Sequence, residues 1–208
     1  MSSLLRLEGV SKIYQSRNGE IQAIEDVSFS VGEGEYVSIV GPSGCGKSTL
    51  LSIIAGLYEP TSGAVYINGT EVSGMSRDIG YMLQNDNLLE WRTIRKNVLL
   101  GLEIRRLLTP ETIEYADDLL KKYGLYDFKD RYPSQLSGGM RQRAALIRTL
   151  AVKPNILLLD EAFSALDYQT RLAVANDIYQ IIRREQKTAI IVTHDDRIVH
   201  FADRTVHI

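Results

Sequence analysis

Hydrophobic and polar positions follow two different periods along this chain, and the change of period divides it into parts. Leu5-Arg6-Leu7-Glu8-Gly9-Val10 alternates at period two, the pattern of a half-exposed strand. Ile21 to Val31 predicts another strand, with Val27, Phe29 and Val31 separated by Ser28 and Ser30. Gly32-Glu33-Gly34-Glu35 predicts a turn into a buried strand ending at Val40, and Leu50 to Ala55 reads as a helix. Ala64 to Ile67 predicts a strand closed by the hairpin turn Asn68-Gly69, and Ile79 to Leu83 a further short one. From about Thr93 to Tyr123 the period changes. Ile94, Val98 and Leu102, then Ile113, Ala116, Leu119 and Leu120, recur at three and four, the spacing of helices. Thr109-Pro110-Glu111 is a helix start with proline in the first turn.

Period two then gives way to continuous apolar runs. Ile156-Leu157-Leu158-Leu159-Asp160 predicts a central parallel strand covered on both faces. A helix over Tyr168 to Arg184, a buried strand over Thr188 to Thr193 and a last strand over Thr205 to Ile208 complete the reading. The organisation is therefore a helical insert between two halves of an α/β core.

One run brings chemistry to this frame. Gly41-Pro42-Ser43-Gly44-Cys45-Gly46-Lys47-Ser48-Thr49 matches G-x-x-x-x-G-K-[ST], a phosphate-binding loop. It stands between a predicted strand and a predicted helix, which is the context the motif requires. Glycines let the backbone wrap an anion, and loop N–H groups and the helix N-terminus point at it. Lys47 can reach the terminal phosphates of a nucleotide, and Ser48 can ligate Mg²⁺.

Composition narrows the classes. A chain of 208 residues with 44% hydrophobic and 24% charged residues suits one globular domain, here residues 1–208. The net charge of −2 gives no broad electrostatic case for nucleic acid. Cys45 is the only cysteine, so there is no internal disulfide, and the reading is a reducing compartment. Its thiol is either a small loop residue or a reactive group. No run approaches the ~18 apolar residues of a membrane span, and the N-terminus alternates rather than reading as a leader peptide.

Leu136-Ser137-Gly138-Gly139-Met140-Arg141-Gln142 resembles the signature motif of ATP-binding cassette (ABC) ATPases. It lies between the phosphate loop and the strand ending in Asp160-Glu161, in that family's order. Ser164-Ala165-Leu166-Asp167 resembles the family's D-loop, Gln84 its Q-loop glutamine, His194 its switch histidine, and Tyr14 the aromatic that stacks on adenine. The likeness spans nearly the whole chain.

The resemblance implies a P-loop NTPase core with a mainly parallel central sheet, an N-terminal antiparallel β subdomain, and an α-helical subdomain over about 86–150. It implies an ATPase using ATP and Mg²⁺. Asp160 would hold the metal through water with Ser48 and Gln84. Glu161 would act as general base on the attacking water, with Gln84, His194 and Lys47 at the γ-phosphate. Ser137, Gly138, Gly139 and Met140 would close on the nucleotide of a second copy, giving a head-to-tail dimer around two ATPs. Tyr14 is either an adenine platform or a packing aromatic.

Asn87-Leu88-Leu89-Glu90-Trp91-Arg92-Thr93-Ile94 with Asn97-Val98 resembles the L-L-P-W-x-T-V-x-x-N-V segment of importers for nitrate, alkanesulfonates and taurine, with Glu90 in place of proline. The resemblance implies a subunit at the cytoplasmic face of the membrane, bound to separate permease chains and served by an extracellular or periplasmic solute-binding protein. Trp91 is either a docking anchor for the permease or a core residue of the helical insert. Exporter or lipoprotein-extracting subunits and soluble ABC ATPases acting on DNA or ribosomes are the alternatives. The last class lacks support here, since no coiled-coil insertion or tandem cassette is present. Two departures remain: the segment from Asp196 to Phe201 is shorter than the family's usual helix, and relatives commonly continue past the position of Ile208. The expectation is a minimal or shortened subunit with no C-terminal regulatory domain.

Overall fold

A computed structural model describes residues 3–16, 19–164 and 166–208. Its strands are β1 (Leu5–Ser16), β2 (Gly19–Val31), β3 (Tyr36–Val40), β4 (Ser62–Ile67), β5 (Thr70–Glu71), β6 (Ile79–Met82), β7 (Ile156–Asp160), β8 (Thr188–Val192) and β9 (Arg204–His207). Its α-helices are α1 (Lys47–Ile54), α2 (Ile94–Val98), α3 (Leu100–Ile104), α4 (Pro110–Lys122), α5 (Gly138–Ala151), α6 (Tyr168–Arg184) and α7 (Asp196–Val199).

Two sheets form. One is antiparallel, in the order β2-β1-β4-β5, and holds the alternating strands β1 and β2. The other is parallel, in the order β6-β7-β8-β3-β9, and holds the continuous apolar runs of β7 and β8 at its centre. Every residue of β7 and β8 is buried, because a parallel strand is covered on both faces. Along β7 the pleat still sorts the side chains. Leu157 and Leu159 enter the core shared with α4, α5 and α6, while Ile156 and Leu158 enter the core shared with α1 and the antiparallel sheet. This is the α/β P-loop fold the sequence implies.

The three-and-four pattern from Thr93 to Tyr123 resolves into three helices, the last starting at Pro110 as Thr109-Pro110-Glu111 predicts. Leu99 ends α2, and Arg106, in the left-handed region at φ 56°, ends the turn after α3. Thr109 then caps α4 through a reciprocal box with Thr112. Their apolar residues Ile94, Val98, Leu102, Ala116, Leu119 and Leu120 pack on the core with α5. After β8 a single helical turn, α7, capped by Asp195, occupies the shortened segment.

Candidate functional site

Four neighbouring strands of the parallel sheet end on one side, and each is followed by a candidate residue. In sheet order these are Gln84 after β6, Asp160 and Glu161 at the end of β7, His194 after β8, and the phosphate loop after β3. Ligands of open α/β sheets bind beyond the carboxyl ends of the strands.

The phosphate loop, Gly41 to Thr49, turns directly into α1. Gly46 is the residue before that helix, with φ 95°. A Cβ there would lie 2.1 Å from the Ala23 carbonyl oxygen, so both the dihedral and the contact with β2 require glycine. Lys47 is 6% exposed. Its ammonium curls back over the loop and donates to Gly41 O at 2.9 Å and Pro42 O at 2.8 Å. The cation is thus held against the loop by two of the loop's own carbonyls. Cys45 Sγ is 3.5 Å from Lys47 Nζ.

Asp160 is 7% exposed, and each of its carboxylate oxygens accepts a hydrogen bond. Oδ1 accepts from Ser48 Oγ at 2.9 Å, and Oδ2 from Tyr81 OH at 3.1 Å. Burial pushes the Asp160 carboxyl above its ordinary value, against the two hydrogen bonds, which pull it down. A cation at this carboxylate would offset that desolvation. Among the described residues no group of three or more His, Cys, Asp and Glu is arranged to hold a metal. The hydroxyl and carboxylate of Ser48 and Asp160 are hard oxygen donors of the kind Mg²⁺ takes when substrate phosphates and water complete its octahedron.

Glu161 departs from ordinary backbone geometry. Its φ is 45°, a conformation costing a non-glycine residue about 1–2 kcal/mol. Two backbone bonds hold the turn: Glu161 N donates to Val192 O at 3.0 Å, and Ser164 N donates to Glu161 O at 3.0 Å. The turn brings Glu161 Oε1 within 3.4 Å of His194 Nδ1. The two residues line one small cleft with Ser164, Arg171, Thr193 and Asp195.

The structure unites most, but not all, of the residues the sequence singles out. Gln84 is exposed, and its amide donates to Ser164 Oγ at 3.2 Å rather than to Ser48 or Asp160. Tyr14 pairs with Ile21 across the β1–β2 ladder, two residues from the Ala23 carbonyl that meets Gly46. Its ring meets Tyr58 edge-on at 6.4 Å and Lys12 at 5.5 Å. Ser137 caps α5 through Met140 N at 3.4 Å, an arrangement worth ~1 kcal/mol. Ser137 and Gly138 are exposed, and Gly139 is buried against α6. Among the described residues no hydrogen bond joins 137–140 to the phosphate loop. Asp167 caps α6 through Thr170 N, which holds its carboxyl below the usual range. Ala165 of the D-loop match lies outside the described residues.

Two site residues carry no sequence signal. Tyr81 is one tyrosine among 11, and only the pairing of β6 with β7 brings it to Asp160. Arg171 donates to Ser164 O at 3.3 Å and Leu166 O at 3.0 Å, and approaches Asp195 at 3.7 Å. It ties the D-loop backbone to the loop that carries His194.

Comparison with known proteins gives the family. The family model described as ABC transporter matches residues 24–164. An uncharacterised ABC transporter ATP-binding protein of Bacillus subtilis, YtlC, is 51% identical over 93% of this chain and 74% of its own length. The nitrate import ATP-binding protein NrtD of Synechococcus elongatus is 38% identical over 99% of this chain and 76% of its own. The dimeric post-hydrolysis structure of the ATP-binding cassette MJ0796, bound to ADP and Pi, superposes with a TM-score of 0.83 at 35% identity, covering 98% of this chain and 94% of that one. The chain belongs to the ABC transporter family, as an ATP-binding subunit that hydrolyses ATP.

Proposed function

We propose that this subunit powers import of a small solute, of the nitrate, sulfonate or taurine kind, through separate permease chains. It would do so as a head-to-tail dimer enclosing two ATPs. The observation that carries the dimer is the separation of two half-sites. The phosphate loop, Asp160, Glu161 and His194 lie together beyond the carboxyl ends of β3, β7 and β8, whereas the Ser137 cap faces solvent with no bond to that loop. A second copy supplies Ser137, Gly138, Gly139 and Met140 to each nucleotide. The dimeric MJ0796 cassette supports this arrangement.

Each residue then has a task. The loop amides from Gly41 to Thr49 and the Lys47 ammonium hold the phosphates. Ser48 and Asp160, the latter through water, are the residues that would hold Mg²⁺, which neutralises charge on the β- and γ-phosphates. Glu161 takes the proton of the attacking water. His194, beside Glu161, and Gln84, beside Ser164, contact the γ-phosphate, and Tyr14 stacks on the base. Asp167 meets the partner across the dimer. Light scattering tests the composite site: Glu161→Gln with Mg-ATP should double in mass, and ADP should leave a monomer. A strictly monomeric protein at high concentration with bound ATP overturns it.

The importer reading rests on NrtD and on the segment from Asn87 to Val98. Trp91 is 75% exposed, so it is not a core residue of the helical insert. No helix of the described residues is long and apolar enough to cross a membrane, and other chains would supply the channel. The helices between 86 and 150 would carry the nucleotide state to the permease at the cytoplasmic face, and a solute-binding protein would load it from outside. Trp91→Ala should leave the melting curve of the isolated subunit within about 0.5 kcal/mol of the parent. It should weaken permease assembly by more than about 1 kcal/mol. A large loss of melting temperature would sink this docking assignment.

A further inference from the structure

The segment that carries Trp91 is fastened to the helix that carries the signature motif. Arg141 lies in the first turn of α5, and its amide donates to Ser137 O at 2.9 Å. Its guanidinium reaches back to Asp86 Oδ2 at 2.9 Å, Asp86 Oδ1 at 3.3 Å and Glu90 Oε1 at 2.8 Å. Two turns on, on the same face of α5, Arg148 donates to Asn87 O at 2.6 Å and Asp86 O at 2.7 Å. Asp86 Oδ1 also accepts from Leu88 N at 3.0 Å. On the far side Asn97, fully buried, closes the loop, accepting from Leu89 N at 2.7 Å and donating to Leu89 O, Arg92 O and Thr93 O. Residues 86–92 are thus a hydrogen-bonded turn with one large exposed hydrophobic side chain, Trp91.

We propose that Arg141, through Asp86 and Glu90, is a positioning residue that makes the signature end of α5 and the Trp91 turn move as one body. It would link the dimer contact at Ser137 to the outer surface at Trp91 without passing through the phosphate loop. Three observations support this. The ion cluster is part-exposed, with side-chain exposures of 28% for Arg141, 16% for Asp86 and 49% for Glu90, so its contribution to stability is small and its geometric role is the larger one. The guanidinium engages Asp86 with two nitrogens, which fixes orientation as well as distance. Glu90 gives the same guanidinium a second carboxylate, with Oε1 at 2.8 Å, so Arg141 holds the turn at two positions four residues apart. Gln84, two residues before Asp86, bonds separately to Ser164. The turn therefore receives one link from each half-site.

The inference rests on the ATP-driven dimer proposed above, and the test separates the two. Trp91 is the single tryptophan of the chain, so its fluorescence reports this turn alone. Acrylamide quenching of Trp91 is measured on the full chain carrying Glu161→Gln, with Mg-ATP and with ADP, alongside light scattering and ATP affinity. Mg-ATP should change the quenching constant as the dimer forms. Adding Glu90→Gln should reduce that change about twofold or more, with ATP affinity and melting temperature held. Glu90→Asp, which keeps the charge, should restore most of it. Dimer formation with a silent Trp91, or a full change in Glu90→Gln, overturns the inference alone. Equal losses in the Gln and Asp variants accompanied by a lower melting temperature make the cluster a structural prop and overturn it too. Absence of any ATP-driven dimer overturns the proposed function, and this inference with it.

Discussion

Glu161→Gln is expected to stop ATP turnover while leaving ATP bound. The substitution keeps the volume and hydrogen-bonding reach of the side chain and removes only its capacity to take a proton. The backbone supports that reading. Glu161 is held at φ 45° by a bond to Val192 O and one from Ser164 N, and backbone strain of this kind clusters at active sites. Its carboxylate lies beside His194, 3.4 Å away, at the open end of β7. Asp160, its neighbour, is spoken for by Ser48 and Tyr81. Loss of a general base lowers rates by about 10² to 10⁴, so phosphate release should fall by at least about 10²-fold. Affinity for a labelled ATP analogue should stay within about threefold, since no phosphate contact is removed. Wild-type turnover in the purified variant would move the base elsewhere. Unchanged melting temperature excludes collapse of the turn as the cause.

The fold was legible where hydrophobic period and length agreed. Ile156 to Asp160 and Thr188 to Val192 read as buried parallel strands because each apolar run is only four residues long and is bounded by polar or turn residues. Thr109-Pro110-Glu111 read as a helix start because proline is favoured in the first turn, and Thr109 caps α4 there. The insert was less legible. Its three-and-four pattern from Ile94 to Leu102 runs through the break at Leu99, where no glycine or proline marks an end, whereas Thr109-Pro110 does mark the start of α4. Trp91 was ambiguous for a similar reason: one aromatic at helical spacing fits a core or a surface equally. Its exposure follows from the turn held by Asn97 and Arg141, residues far along the chain from each other. Tyr81 and Arg171 reach the site only through strand pairing and helix packing, contacts that leave no local pattern in a sequence.

Lys47→Ala should act on binding rather than on the chemical step. The ammonium is buried to 6% exposure and satisfied by two carbonyls of its own loop, Gly41 O and Pro42 O. A γ-phosphate is a better partner for it than either carbonyl, because hydrogen bonds between charged groups are the stronger ones. One such bond is worth about 1.5–3 kcal/mol. Its loss should weaken ATP binding by roughly ten- to a hundredfold. The truncation also strips two carbonyls of a donor, so a collapsed loop is the competing explanation. AMP separates the two. It carries no β- or γ-phosphate for Lys47 to reach, yet it needs the same base and ribose contacts, including any stacking on Tyr14. If Lys47 acts as a phosphate cation, ATP affinity falls and AMP affinity holds. If the loop has collapsed, both fall together and the melting temperature drops with them. Titration of both nucleotides against the parent and the variant decides it, and unchanged ATP affinity would remove Lys47 from the phosphate site altogether.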